Sequence, residues 1–422
     1  VIGLLDDVTI RSDAQSAATF SNAFVAGLSV PPVSFDLLTP ADGTAELVLR
    51  DAILRWEPSL RADGYEVRLG TTADPPVHTN LTGTTLDVSG VVTPTNTYYW
   101  NVTATNEHGS ARVPAAGDFS FTTAVYDVVI DVDSTISTTN TTYEGLSVLV
   151  DGAAVTIDGT HGFGALELIN GASLTHTAGS ATGMQLTATS LLVDGSSRID
   201  VTSKGTLNGP PAYAGGSHGG RGGNYSGVSP PTFGDLREPV ALGGGGYGRR
   251  GGGRVKIVAG SVVLDGSIIS SGQTGAYRAG GGAGGSIWLD VGTLSGTGSI
   301  RANGAATGSY AGAGAGGRVA IYYDDASGFD LFSGVRTVGG DSPHHASYDG
   351  ASGTIYLKDN AEPLGRVVIN NASQGSAGNS TDIAATLVEP IVVNNAKVRF
   401  QGGVTSEVML SLIHISEPTR LC

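Results

Sequence analysis

One pattern returns four times through the middle of the chain. Gly253-Arg-Val-Lys-Ile257, Gly285-Ser-Ile-Trp-Leu289, Gly317-Arg-Val-Ala-Ile321 and Gly353-Thr-Ile-Tyr-Leu357 are separated by 32, 32 and 36 residues. Within the first two units Gly266-Ser-Ile268 and Gly298-Ser-Ile300 keep the spacing of 32, as do Gly272 and Gly304. A fixed period of this length marks stacked units that bury a core only through their neighbours. With parallel rungs about 4.8 Å apart, like positions lie directly over one another. Val255, Ile287, Val319 and Ile355 then form one inward column, and Ile257, Leu289, Ile321 and Leu357 a second. Period-two alternation turns Lys256, Trp288, Ala320 and Tyr356 outward.

A shorter repeat flanks this one. Val148-Leu-Val-Asp-Gly-Ala153, Leu168-Ile-Asn-Gly-Ala172, Leu192-Val-Asp-Gly-Ser196, Val368-Ile-Asn-Asn-Ala372 and Val392-Val-Asn-Asn-Ala396 each end an apolar run in a small turn, in steps of 19 to 24 residues where they adjoin. Residues 125–409 therefore read as one β-solenoid, each unit having about three short strands and a glycine-rich excursion. Of the 65 glycines, 36 lie between residues 201 and 320 without a Gly-X-Y period, which excludes collagen. Glycine brings no side chain to offset the cost of ordering its backbone. The tracts are thus either mobile loops or backbone packed where only glycine fits; their register with the strands favours packing.

The first third reads differently. Ala52-Ile-Leu-Arg-Trp56, Tyr65-Glu-Val-Arg-Leu69 and Tyr98-Tyr-Trp-Asn-Val-Thr-Ala104 alternate apolar and polar residues between turn-rich segments, as half-buried antiparallel strands do. Trp56, Gly64-Tyr65-x-Val67, Tyr98-x-Trp100-x-Val102-x-Ala104 and the closing Phe119-Ser-Phe-Thr-Thr123 stand in an order that resembles a fibronectin type III domain over residues 33–123. The resemblance implies a sandwich with Trp56, Tyr65, Trp100 and Val102 in its core and Tyr98 as a tyrosine corner. Residues 1–30, with Leu4-Leu-Asp-Asp-Val-Thr-Ile10, resemble the closing strand of a truncated laminin-G-like jelly roll; a stray strand and short helix is the other reading. Residues 410–422 resemble a translated sequencing adapter, as metagenomic reads carry, and hold the only cysteine. The expected fold class is all-β: a fibronectin type III sandwich followed by a right-handed parallel β-helix with glycine-rich loops.

The net charge of −15 argues against a nucleic-acid partner, and no apolar run is long enough to span a membrane as a helix. The sequence has no Gly-Lys-Ser/Thr phosphate loop, no His-Glu-x-x-His and no Gly-x-Ser-x-Gly elbow. Gly280-x-Gly-x-x-Gly285 and Gly312-x-Gly-x-x-Gly317 match a dinucleotide fingerprint but precede strands, where that site needs a helix.

Several clusters remain as candidates. Asp341, His344, His345 and Asp349 offer imidazole and carboxylate ligands, although adjacent strand side chains point apart and a solvated loop explains them. Asp324, Asp325 and Asp330 are oxygen ligands suited to calcium, the one cofactor considered, and equally ordinary turn residues. Asp200, Lys204, Asp235 and Arg237 are the only mixed acid–base group for a polysaccharide-active β-helix lyase or hydrolase, and no catalytic residue is assigned. Trp288, Tyr322 and Tyr356, on or beside the outward column, are the candidate carbohydrate-binding residues, since exposed rings stack on sugars. The segment 200–360 resembles the glycine-rich repeats of large bacterial surface, adhesin-like proteins. That resemblance implies a secreted or cell-surface protein, non-enzymatic, serving adhesion or display, with extracellular polysaccharide or cell-surface glycans as partners. The alternatives are the polysaccharide-active enzyme and a purely structural matrix protein.

Overall fold

A computed structural model of the chain describes residues 30–401 apart from 125, 208, 211, 212, 227, 373–378 and 385. The jelly-roll reading of residues 1–30, Val30 excepted, and the tail 410–422 lie outside the described residues. The chain divides into two compact units, Val1–Val125 and Tyr126–Cys422.

The first unit is built from two sheets. Strands Leu37–Thr39, Ile53–Trp56 and Thr85–Asp87 form an antiparallel sheet of three. Strands Thr44–Leu47, Phe119–Thr123, Thr97–Asn106, Gly64–Gly70 and Val77–Leu81 follow in that order in the other, with Gly109–Val113 paired to the far end of Thr97–Asn106. Alternation dictates the core: Tyr65, Val67 and Leu69 point one way from their strand, and Tyr98, Trp100, Val102 and Ala104 from theirs, all buried. Trp56 of the smaller sheet meets Tyr65 of the larger edge-on at 5.7 Å between ring centres, so the two sheets share that core. The Tyr98 hydroxyl accepts the Thr93 amide at 3.0 Å, tying a strand end to the upstream backbone.

In the second unit two parallel sheets are threaded by one coil. Strands Val128–Ile130, Val148–Asp151, Gly159–Ile169, Met184–Val193, Arg254–Leu264, Ser286–Ser295, Arg318–Gly328 and Thr354–Asp359 stack in that order in a sheet of ten. Its last two strands, Arg366–Asn370 and Ile391–Asn394, run opposite to the rest. Between them in sequence come Ser134–Ile136, Ala154–Ile157, Ser173–Thr175, Arg198–Asp200, Ser267–Ile269, Ser299–Arg301 and Val335–Arg336, the rungs of a sheet of seven. At the corner joining the sheets Gly152 and Gly171 take φ of 69° and 84°, which side chains resist.

Register follows the repeat. Val255 pairs with Ile287, Ile287 with Val319 and Val319 with Ile355, and the Ile257, Leu289, Ile321, Leu357 column pairs likewise. All eight are buried in one continuous apolar cluster that runs through the coil. Each coil has two strands rather than the expected three: the run that begins at Val255 continues to Leu264 in one eleven-residue strand.

The glycine tracts take the place of a third sheet. The amides of Gly281 and Gly284 donate to the carbonyls of Gly312 and Ala315, those of Gly282 and Gly285 to Gln273 and Ser270, and that of Ala283 to Gly244, at 2.7–3.0 Å. The next tract repeats the scheme, with Gly312 and Ala315 bonded to Tyr213 and Gly216, Ala313 and Gly316 to Tyr348 and Ala351, and Gly314 and Gly317 to Ala305 and Ala302. Every third amide therefore faces the same neighbour, the period of a polyproline II helix. In a lone helix of that type the amides face water; here they bond to adjacent tracts. The tracts are packed backbone, and an added Cβ at Gly280, Gly282, Gly284 or Gly285 would lie 1.9–2.1 Å from a neighbouring carbonyl oxygen.

Candidate functional site

The outward column Lys256, Trp288, Ala320, Tyr356 is in register, and a second layer covers much of it. Val367, Ile369, Ile383, Val393 and Val398 form a small apolar core over Ala320 and Tyr356, with Leu236, Trp288 and Tyr322 at its margin. Tyr356 is 4% exposed. Its ring lies against Gly365, where a Cβ would be 2.4 Å from it. The Tyr322 hydroxyl donates to the Arg237 carbonyl at 3.1 Å, and burial pushes its pKa up to about 12. Trp288 is half-buried, with the Lys256 ammonium 3.6 Å from the ring centre. Of Trp288, Tyr322 and Tyr356, then, the structure leaves only the first two partly open, and one face of Trp288 is occupied. The sequence pattern showed the face on which these rings stand, but Leu236, Arg237 and the apolar residues Val367, Ile369, Ile383, Val393 and Val398, distant in the chain, supply much of their cover.

Asp324, Asp325 and Asp330 are used singly. Asp324 accepts the Asn360 amide at 2.9 Å, Asp325 the backbone amide of Ser327 at 2.8 Å, and Asp330 those of Phe332 and Ser333. The turn contacts hold Asp325 and Asp330 below the usual carboxylate range. Among the described residues no three His, Cys, Asp or Glu side chains converge to hold a metal, so the calcium expectation finds no geometry there.

The members of the acid–base group hold local partners. Asp200 accepts the Thr202 amide, Asp235 those of Arg237 and Glu238, and the Arg237 guanidinium pairs with buried Glu389. His345 caps the short 3-10 turn Ala346–Tyr348 by accepting the Ser347 amide. Asp349 accepts the Ser342 amide, while burial raises its pKa.

A different constellation stands at the tips of the glycine tracts. Each carries one tyrosine shortly before the glycine that opens the next strand: Tyr247 before Gly253, Tyr277 before Gly285, Tyr310 before Gly317 and Tyr348 before Gly353. At the first two tips the chain reverses in a tight turn, bridged from Gly246 to Arg249 and from Ala276 to Ala279. The reversal pushes the intervening side chains outward, leaving Tyr247, Tyr277 and Tyr310 44%, 64% and 38% exposed. They join neighbouring rings in a row. Tyr247 meets Tyr213 at 5.1 Å, Tyr277 meets Tyr310 at 5.9 Å, Tyr310 meets Tyr225 at 5.5 Å and Tyr225 meets Tyr348 at 5.4 Å, each edge-to-face. Arg278 closes the one gap, its guanidinium 5.3 Å from the Tyr277 centre and 5.9 Å from that of Tyr213. His344 extends the row, 4.7 Å from Tyr310. Reading the strands alone passed over these tyrosines, although their recurrence once per unit was visible.

No protein-family model and no curated protein matches the sequence. Among solved structures, a pectate lyase from Pectobacterium carotovorum is similar at 12% identity and a TM-score of 0.16, over 78% of this chain and 92% of that one. A likeness of that size carries no argument. The all-β assignment rests on the strands themselves and their long parallel ladders.

Proposed function

We propose that this chain belongs to an extracellular, non-enzymatic surface protein: an adhesion or display scaffold whose glycine-rich face contacts carbohydrate. In this reading the first unit is a fibronectin type III spacer, and the second a right-handed solenoid holding the tip aromatics. The observation that carries it is the tyrosine row, one ring at the tip of each of four glycine tracts whose backbones pack against one another. Tyr faces joined edge-to-face offer alternate faces and edges, and a sugar's C–H face packs on the former while hydroxyls bond to the phenols. Catalysis has less support, because Asp200 and Asp235 each accept the amides of a local turn.

The test is a glycan array probed with the whole chain and with a Tyr277→Ala/Tyr310→Ala variant. Retention of one glycan class by the parent and its loss in the variant, at unchanged melting temperature, supports the reading. An array with no retained glycan overturns it, and release of new sugar ends on incubation favours the enzyme.

A further inference from the structure

We infer that the tyrosine row binds an acidic polysaccharide, whose carboxylates or sulfates meet Arg278 between the rings and Arg249 in the neighbouring tip turn. The inference rests on the carbohydrate reading above and adds the charge of the ligand. The chain carries 38 acidic against 23 basic residues, yet the segments 201–225, 240–253, 270–285 and 302–317 contain no Asp or Glu. Their charged residues are Lys204, Arg221, Arg249, Arg250 and Arg278. Screening at physiological salt limits exposed charges to about 8 Å, so this acid-free face acts on a ligand by its own sign. Arg221 is taken up by Asp382, and Arg250 donates to the Gly205 carbonyl at 3.1 Å.

Arg278 and Arg249 are different. Among the described residues neither forms an ion pair with a carboxylate, and both sit in the tip turns that carry Tyr277 and Tyr247. Arg278 is exposed, with its planar guanidinium spanning the gap between Tyr213 and Tyr277. A guanidinium so placed keeps its donors for an incoming carboxylate or sulfate, which it grips in two-point fashion. The other end of the row has Asp341 exposed and Asp349 buried near Tyr348, so the anionic stretch of the ligand is confined to the rungs of Tyr247 to Tyr310. Edge-to-face rings give no continuous stack for successive bases, which separates a polysaccharide from a nucleic acid of the same charge.

The experiment measures retention of the whole chain on immobilised alginate, heparin and neutral dextran at low and physiological salt. Retention on alginate or heparin, weakened about tenfold by Arg278→Gln and left unchanged by Arg301→Gln on the sheet of seven, is the expected result; tenfold is about 1.4 kcal/mol, the scale of one charge-assisted hydrogen bond. Equal retention on dextran, with Arg278→Gln silent, overturns the acidic ligand and leaves the carbohydrate reading standing. Retention on none of the three, with an empty glycan array, overturns both. Single-stranded DNA held as tightly as the glycans, with the same Arg278 dependence, overturns the assignment to a polysaccharide.

Discussion

Gly284→Ala is the most direct challenge to the packed glycine layer. The added methyl would stand 2.1 Å from the Ala302 carbonyl oxygen and 2.6 Å from the Gly317 amide nitrogen, both backbone atoms that no rotamer change can move. Ordinary contact begins near 3.4 Å, so the tracts must part by 3.4 − 2.1 = 1.3 Å at that point. A movement of that size breaks the 2.7 Å bond from Gly317 to Ala302 and strains the 2.8 Å bond from Gly284 to Ala315. Buried backbone groups left without partners cost about 1–3 kcal/mol each. A shorter list of unfolded conformations returns about 0.4–1 kcal/mol to any Gly→Ala change. The expected net loss is about 3 kcal/mol. Gly195→Ala is the control: nothing lies within 4 Å of its added carbon and its φ is not positive, so it should be neutral or slightly stabilising. Urea titration of the two variants, followed by hydrogen exchange at the tract amides, reads the difference. Equal midpoints, with tract amides exchanging as fast in the parent as in an unfolded peptide, would refute close packing.

Other perturbations probe other parts. His218 is fully buried, donates from Nδ1 to the Gly284 carbonyl, and is pushed down to about 3 by burial and then by neighbouring Arg318. The imidazole is neutral in both states at pH 7; below about 6.5 only the unfolded chain gains its proton, so stability falls between about pH 6.5 and 3, by up to about 4–5 kcal/mol. A His218→Gln variant should show a shallower decline over that window in pH-dependent denaturation. Asp382 is 5% exposed; burial raises its pKa, but the hydrogen bonds and charges of Arg221 and Arg399 outweigh it and hold the carboxyl low. Asp382→Asn strips the charge from both pairs and should cost about 3–5 kcal/mol locally, seen as faster proteolysis within residues 380–401. Tyr98→Phe removes the bond to the Thr93 amide and should lower the stability of the first unit by about 1–2 kcal/mol in thermal melts, while leaving the tyrosine row's behaviour untouched.

What could be read from the sequence follows the range of the interactions. The columns through Val255 and Ile257 were legible because in-register stacking repeats one environment at one spacing, and alternation leaves no freedom about which side chains face in. In the first unit a period of two marked the strands, while the core positions Trp56, Tyr65 and Trp100, all buried, came from the resemblance in the order of the aromatic residues. The number of strands per coil was not, because Gly260 and Ser261 interrupt the apolar pattern while the strand runs on and keeps one register on both sides of Gly260. Nor was the cover over Tyr356: its buried part comes from residues as far as Val398, 42 positions away, and no local period links 398 to 356. The tip tyrosines fell between these cases. They recur with the units, but at offsets that vary from five to eight residues before the glycine preceding the strand, since turn length varies where side chains face solvent.

The glycine layer also bears on how this protein should respond to temperature. Unfolding it hydrates mostly amide surface and little hydrocarbon, and polar exposure lowers the heat capacity where apolar exposure raises it. Calorimetry should therefore find the second unit below the usual increment of about 12–15 cal/mol/K per residue. A small increment flattens the curve of stability against temperature. A protein built this way would change little in firmness between a cold environment and a warm one.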